Sequence, residues 1–408
     1  MKLKHSRQAS SRGFYVVGSM ILNAGIAGSA LAQPTITNLG VLPGGNSSGA
    51  TGVSADGTAV AGSATIAGDS TSHAFRWTRA GGMQDLGTLA EFAGSDGFAI
   101  SADGTAVTGS SWIYAFRWTV AGGMENLGTF GWASAVGRAV NADGSAVAGY
   151  VRDENPVHIL AFRWTGDLQD IGHLPGGTDA QAYAISADGS VVAGAGIAEF
   201  GERAFRWENG SMQDLGPFLG GYSWAYGISA DGAVIVGVGG YPSVHAFRWT
   251  SAGGFQDLGV PEGCRASGAF AISGDGAAVT GWIALSEGGS RPALWRQELG
   301  MVDLHEYLTA AGVDLTGWIL SSATGLSSDG SAICGSGRYN GAQRAWLVTG
   351  LPVPCRPDFD GDGFVTGIDF DLYVQAFEAG SMASDFDGDG FVTGSDFDAY
   401  VVAFEAGC

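Results

Sequence analysis

Residues 54–62 read Ser-Ala-Asp-Gly-Thr-Ala-Val-Ala-Gly, and the phrase returns six more times with small changes, its Asp falling at 56, 103, 143, 188, 231, 275 and 329. Asp-Gly tolerates the positive φ that tight turns between twisted strands require, so each copy marks a hairpin. Outward from the turn every unit continues alike. A variable stretch leads to Ala-Phe-Arg-Trp, clearest at 74–77, 115–118, 161–164, 204–207 and 246–249, and a short turn then leads to Gln-Asp-Leu-Gly. The segments between turns are short, β-branched or aromatic, and bounded by glycine, which reads as four strands per unit with no helical period. This punctuation accounts for 70 glycines in 408 residues, against the usual share of about 7 per cent.

Units of four strands, with Asp-to-Asp spacings of 40 to 54 residues, suit the blades of a β-propeller, whereas a β-helix coil is shorter and helical repeats carry a 3.6 period. The expected fold is therefore all-β, a seven-bladed β-propeller over residues 33–351. The last unit lacks its Gln-Asp-Leu-Gly segment, and "TITNLG" at 35–40 matches the missing piece. The expectation is a ring closed by an N-terminal strand, which leaves no open blade edge. In Ala-Phe-Arg-Trp, Phe and Trp share one face of the strand and Ala and Arg the other. Arg76, Arg163, Arg206 and Arg248 then need partners, and Asp85, Asp170, Asp214 and Asp257 on the next strand suggest cross-strand ion pairs. That pattern lapses at Asn126, in "PALWRQ" where Trp295 and Arg296 read as shifted, and at Val348 in place of Trp. The seven Asp-Gly aspartates read as turn residues and not as an acidic ring.

Residues 1–32 have the build of a secretory signal peptide: Lys2, Lys4, Arg7 and Arg12, an apolar run from Phe14 to Leu31, and Ala30-Leu31-Ala32 before Gln33. Beyond them stand 15 basic residues, all Arg, against 40 acidic ones, a net charge of −25. Such a surface repels phosphate backbones, so nucleic acid is not an expected partner. No later apolar run is long enough for a transmembrane segment. The expected location is secreted, extracellular or cell-surface associated, where disulfides persist.

The last fifty residues say one acidic phrase twice, "DFDGDGFVTGIDF" at 358–370 and "DFDGDGFVTGSDF" at 385–397. A twelve-residue calcium loop places oxygen ligands at positions 1, 3, 5, 7, 9 and 12 around a Gly at 6. Asp358, Asp360, Asp362, the Phe364 carbonyl, Thr366 and Asp369 fit those places, as do Asp385, Asp387, Asp389, the Phe391 carbonyl, Thr393 and Asp396. Four carboxylates in one small loop repel one another until a divalent ion neutralises them, so two Ca2+ ions are expected. Each loop runs into an amphipathic helix with Phe370, Tyr373, Val374 and Phe377, or Phe397, Tyr400, Val401 and Phe404, at i, i+3, i+4 and i+7. Cys355 and Cys408 bracket this module at 352–408, which suggests a disulfide clasp, with an attachment role for the terminal Cys408 as the alternative. Cys334 falls in a strand and reads as a buried thiol, and Cys264 falls in a loop between blades.

The "HAFRWT" segments at 73–78 and 245–250, with the Ser-Ala-Asp-Gly phrases, resemble the HAF-repeat family of extracellular bacterial proteins over residues 35–350. Tyr114, Leu160 and Arg203 stand where other units would have the His. The paired loop-and-helix units resemble a type I dockerin, in the variant that ends on Gly-Cys. The resemblance implies two calcium ions and docking to a cohesin-like or cell-surface scaffold protein, commonly in polysaccharide-degrading systems. Positions 10 and 11, where that family reads its partner, are Gly367-Ile368 and Gly394-Ser395, and Thr replaces the usual Asn or Asp at position 9. His73, His158, His173, His245 and His305 sit in no catalytic or zinc motif, and no Gly-x-Ser-x-Gly elbow occurs. The functional expectation is an exported, non-catalytic propeller that binds a glycan or protein through its variable stretches at 63–73, 150–159, 195–203 and 282–291. The alternative is a carbohydrate-active enzyme.

Overall fold

The computed structural model describes residues 33–67, 71–89, 94–154, 157–353, 357–359, 365–381, 384, 386 and 392–406. Among these residues, seven four-stranded antiparallel sheets form a seven-bladed β-propeller. The first blade runs from the channel outward as Ser48–Val53, Ala59–Thr65, Ser72–Thr78 and Gly82–Asp85. Trp318–Leu326, Ile333–Tyr339 and Ala342–Thr349 belong to the last sheet, where Thr35–Asn38 pairs with the outer side of Ala342–Thr349, Thr35 opposite Thr349 and Asn38 opposite Trp346. The expected signal peptide at 1–32 lies outside the described residues.

Each Asp-Gly turn is a small hydrogen-bonded device. Ser54 Oγ donates to Asp56 Oδ1 at 2.6 Å and accepts from the Ala59 N–H at 2.9 Å, while Asp56 Oδ1 also accepts from the Thr58 N–H at 3.0 Å. Gly57 takes φ +70°, which lets the chain reverse. The aspartates are thus turn residues. The turn backbones also join the blades, chiefly through the residue before each aspartate: Ala55 N–H donates to Ala102 O, and equivalent bonds run through Asp103–Ala142, Ala142–Ala187, Ala187–Ala230, Ala230–Gly274, Gly274–Ser328 and Ser328–Ala55, at 2.8 to 3.3 Å. The last bond brings the chain of contacts back to the first blade.

Between blades, an aromatic face meets an alanine face. Phe116 and Trp118 of the second blade pack with Ala59, Ala61 and Ala74 of the first, and Phe75 and Trp77 of the first pack with Ala332, Cys334 and Ala345 of the seventh. The Phe lies over a strand glycine: a Cβ on Gly62 would come 2.0 Å from Gly49 O and 2.9 Å from Phe75 Cε1. Burying a Phe of this kind is worth about 2–3 kcal/mol, repeated round the ring.

The expected Arg–Asp pairs do not form for Arg76, Arg163 and Arg206. In the observed register Arg76 faces Gln84 and Asp85 faces Phe75, so the acid lies on the aromatic side of the sheet and the guanidinium on the other. Arg76 Nε donates to Gly104 O at 2.6 Å, Arg163 Nε to Gly189 O at 2.6 Å and Arg206 Nε to Gly232 O at 3.2 Å, each acceptor being the Asp-Gly turn of the following blade. The acids serve the next corner instead. Asp85 Oδ1 accepts from Gly87 N at 2.8 Å, and Asp170, Asp214 and Asp257 repeat the bond. Asn126 makes the same bond to Gly128 N, which explains the lapse: the corner needs an acceptor, not a charge. Asp85 and Asp257 also bond His73 and His245 at 2.9 Å.

Trp295 is not shifted. It faces Val279 as Trp77 faces Val60. Arg296 alone is displaced, and its Nη2 still reaches the equivalent carbonyl, Gly330 O, at 3.1 Å. The repeat region also contains a helix that the turn pattern hid, α1 (Leu304–Ala310), capped by Asp303 and buried through Leu304 and Leu308 in the longest interval between Asp-Gly turns. Two further helices, α2 (Gly367–Glu378) and α3 (Gly394–Ala406), lie near the C-terminus. No helix among the described residues is long and apolar enough to cross a membrane.

Candidate functional site

The innermost strands line a central channel, and each carries a β-bulge at one equivalent position. Register shifts fall between 50 and 52, 97 and 99, 137 and 139, 182 and 184, 225 and 227, 269 and 271, and 323 and 325. The extra residues are Thr51, Phe98, Arg138, Tyr183, Tyr226, Phe270 and Thr324, each three places before the Ser or Asn that opens the turn, and all line one cavity of about 430 Å³. A bulge frees one residue from the ladder and re-aims its side chain. Here it does so once per blade.

Five of these residues form a continuous arc across blades two to six. The Arg138 guanidinium lies 4.6 Å from the centre of the Phe98 ring and 5.4 Å from that of Tyr183. Tyr183 meets Tyr226 at 5.1 Å, and Tyr226 meets Phe270 at 5.7 Å, edge-on. The two remaining blades supply small polar residues whose hydroxyls are already used: Thr51 Oγ1 donates to Gly97 O at 2.9 Å and Thr324 Oγ1 to Ala50 O at 2.8 Å. The ring therefore has an aromatic and cationic side and a narrow, locked polar side.

Tyr183 donates its hydroxyl to Gln181 Oε1 at 2.7 Å. Burial raises the pKa of Tyr183 and pushes that of Tyr226 up to about 12, so both phenols stay neutral donors at physiological pH. From Tyr226 an aromatic ladder climbs the same strand, to Trp224 at 6.2 Å and on to Tyr222 at 5.7 Å. Trp224 Nε1 donates to Glu202 Oε2 at 3.1 Å, which ties the ladder to the stretch at 195–203. The described hairpin at 282–291 lies at this same end of the blades, where Trp112, Phe200 and Tyr241 are exposed at 71, 79 and 77 per cent. Sequence reading pointed to the variable stretches and missed the ring. Its signal was present: at one fixed offset from the turn, residue chemistry varies among Thr, Phe, Arg and Tyr.

Of the expected metal ligands, Asp358, Thr366, Asp369, Thr393 and Asp396 are described, whereas Asp360, Asp362, Phe364, Asp385, Asp387, Asp389 and Phe391 lie outside the described residues, as do Cys355 and Cys408 with their expected bond. Asp369 and Asp396 are wholly buried. Asp369 accepts from Phe359 N at 2.8 Å and Thr366 N at 2.7 Å, and Asp396 accepts from Phe386 N at 2.7 Å and Thr393 N at 2.8 Å. Each carboxylate thus ties the start of its acidic loop to the start of the following helix. Thr366 caps α2, accepting from Ile368 N at 3.2 Å. Tyr373 and Tyr400 stack at 3.7 Å with their planes 2° apart, and their hydroxyls cross over to Ser384 O and Pro357 O, both at 3.1 Å. Those partners are 27 residues apart, as are the tyrosines, so the described residues of the two copies interlock symmetrically. Among the described residues no group of three His, Cys, Asp or Glu is placed to hold a metal. Cys264 and Cys334 are free thiols, and burial pushes the Cys334 thiol up to about 12.

No protein-family model matches the sequence, and no curated protein matches it. Solved structures do resemble its fold. An oligogalacturonate lyase from Vibrio parahaemolyticus aligns over 77 per cent of this chain and 93 per cent of its own, at 10 per cent identity and a TM-score of 0.51. An oligogalacturonate lyase in complex with manganese aligns over 78 and 93 per cent, at 14 per cent identity and a TM-score of 0.52. At these identities the likeness concerns the fold alone, the seven-bladed β-propeller.

Proposed function

We propose that this chain is an exported, non-catalytic binding protein whose propeller takes a saccharide into its central channel and whose C-terminal module tethers it through calcium to a cohesin-type or cell-surface partner. The observation that carries the binding reading is the arc Phe98–Arg138–Tyr183–Tyr226–Phe270, extended by Trp224 and Tyr222. Flat aromatic rings offer apolar faces to the C–H faces of sugars, and the neutral phenol of Tyr226 offers a donor to their hydroxyls. Closure supports the reading by keeping the arc in register. On this view Thr35–Asn38 acts as the outer strand of the seventh blade, so that the two ends of the repeat region are hydrogen-bonded together.

The tether rests on the interlocked loop-and-helix copies. A donor set of carboxylates, a backbone carbonyl and a hydroxyl in each acidic loop suits a hard divalent cation, and the buried Asp369 and Asp396 are held at the loop ends where such ions take their last ligand. Asp358, Asp360, Asp362, Phe364, Thr366 and Asp369 would hold one ion, and Asp385, Asp387, Asp389, Phe391, Thr393 and Asp396 the other. Calcium supplies charge neutralisation that lets four acids share a loop.

Screening the whole chain against a polysaccharide panel, with binding and released sugars measured together, tests the function. Binding without turnover is expected, weakened about tenfold in Tyr226→Ala by loss of roughly 1.4 kcal/mol of ring contact. Turnover would move the protein to the enzyme class.

A further inference from the structure

Resting on the channel reading, we propose that the ring selects an acidic sugar, a uronate-type unit whose carboxylate sits on Arg138 while its ring lies against Tyr183 and Tyr226. The repeat arginines of the blades are committed to the fold: Arg76, Arg163 and Arg206 bond turn carbonyls, and Arg117 does so as well as pairing with Glu125. Arg291 pairs with Asp303 and Glu306. Arg138 differs. Phe98 and Tyr183 flank its guanidinium, and no carboxylate among the described residues forms an ion pair with it. Aromatic faces satisfy the cation's π surface and leave its in-plane N–H donors to find acceptors, and a planar carboxylate is the ligand that matches them two at a time. The other side of the ring cannot compete for that carboxylate, because the Thr51 and Thr324 hydroxyls are bound to neighbouring blades. Two opposing charges limit the size of the ligand. Glu202 stands beside the ladder on Trp224, and the whole chain carries a net charge of −21. Both repel a long polyanion, so a short acidic oligosaccharide fits best.

Calorimetric titration of the full chain with a uronic-acid trisaccharide, its methyl ester and a sulfated neutral trisaccharide tests the inference. The acid should bind about tenfold or more tightly than the ester. Arg138→Gln should bring acid and ester within about threefold, and Arg138→Lys should fall between, keeping the charge but not the paired donors. Equal binding of acid and ester by the unmodified chain, a preference that survives Arg138→Gln, or tighter binding of the sulfated sugar would overturn it. Ester binding that is lost in Tyr226→Ala, without any preference for the acid, would sink this inference and leave the channel reading standing. Failure of all three sugars to bind would remove both. Should Arg138→Gln fail to fold, the acid preference of the unmodified chain must fall several-fold in 1 M salt, and a salt-independent preference would refute the role of charge.

Discussion

Replacing Ser186 by Ala removes one oxygen and two bonds. Its Oγ donates to Asp188 Oδ1 at 2.6 Å and accepts from the Val191 N–H at 2.9 Å, and both Ser186 and Val191 are at most 1 per cent exposed. The substitution leaves a buried N–H without its acceptor, which costs about 1–3 kcal/mol, and withdraws a donor from a carboxylate. Asp188 is largely exposed, so that second loss adds little, and the expected sum is about 2–3 kcal/mol. The protein carries its own control. In the third blade the position is Asn141, whose Oδ1 accepts from Ala146 N at 2.8 Å in place of the serine hydroxyl. Ser186→Asn should therefore cost less than about 1 kcal/mol although it adds more atoms than Ser186→Ala removes. Guanidinium unfolding followed by tryptophan fluorescence compares the two through their midpoints. An alanine shift below about 0.5 kcal/mol, or an asparagine variant as damaged as the alanine one, would refute the account of the turn.

Gly194→Val should destabilise by more than about 3 kcal/mol, because even a Cβ there would lie 2.0 Å from Gln181 O and 2.8 Å from the Phe205 ring; expression and melting temperature report it. Hydrogen bonds from Ser54 and Ser186 hold the Asp56 and Asp188 carboxyls below their ordinary 3.8, so their contribution is complete above that pH and is lost as the pH falls through the lowered values. Denaturation midpoints should accordingly be flat from neutral pH down to about 4 and drop below it, whereas a decline that starts near pH 6 would assign acid sensitivity to other groups. Asp369→Ala in the whole chain should orphan the N–H groups of Phe359 and Thr366, cost the module about 2–4 kcal/mol, and reduce the calcium bound from two ions to one. Calorimetry showing two ions still bound with unchanged heat would argue against that carboxylate as a ligand. Arg163→Met should cost about 1–2 kcal/mol by freeing Gly189 O between blades, while Asp170→Asn should be nearly neutral, since Asn126 already serves that corner.

Blade number, strand order within a blade and the turn role of the aspartates were legible in the sequence because all three are local. An Asp-Gly hairpin, a glycine under a phenylalanine and an alternation of faces act within about ten residues, and sevenfold repetition amplifies them. The displaced Arg296, which still finds Gly330 O, shows where such reading ends: its acceptor lies 34 residues away on the next blade. The arginine partners as a class were misassigned for the same reason. Face alternation alone pairs Arg76 with Asp85, but the register sets Asp85 opposite Phe75 and sends Arg76 to a neighbouring turn.

What the sequence determined by itself is thus a repeat of four-stranded units and a doubled acidic loop with aromatic helices behind it. The channel ring was decided only by tertiary structure. Thr51, Phe98, Arg138, Tyr183, Tyr226, Phe270 and Thr324 are 40 to 54 residues apart along the chain, each unremarked among small residues. One bulge per blade turns them inward, and the side-by-side packing of blades two, three and four brings Arg138 between Phe98 and Tyr183. Side-chain chemistry is written residue by residue, but the juxtaposition that makes a site depends on register and on how neighbouring blades pack, which belong to the whole fold.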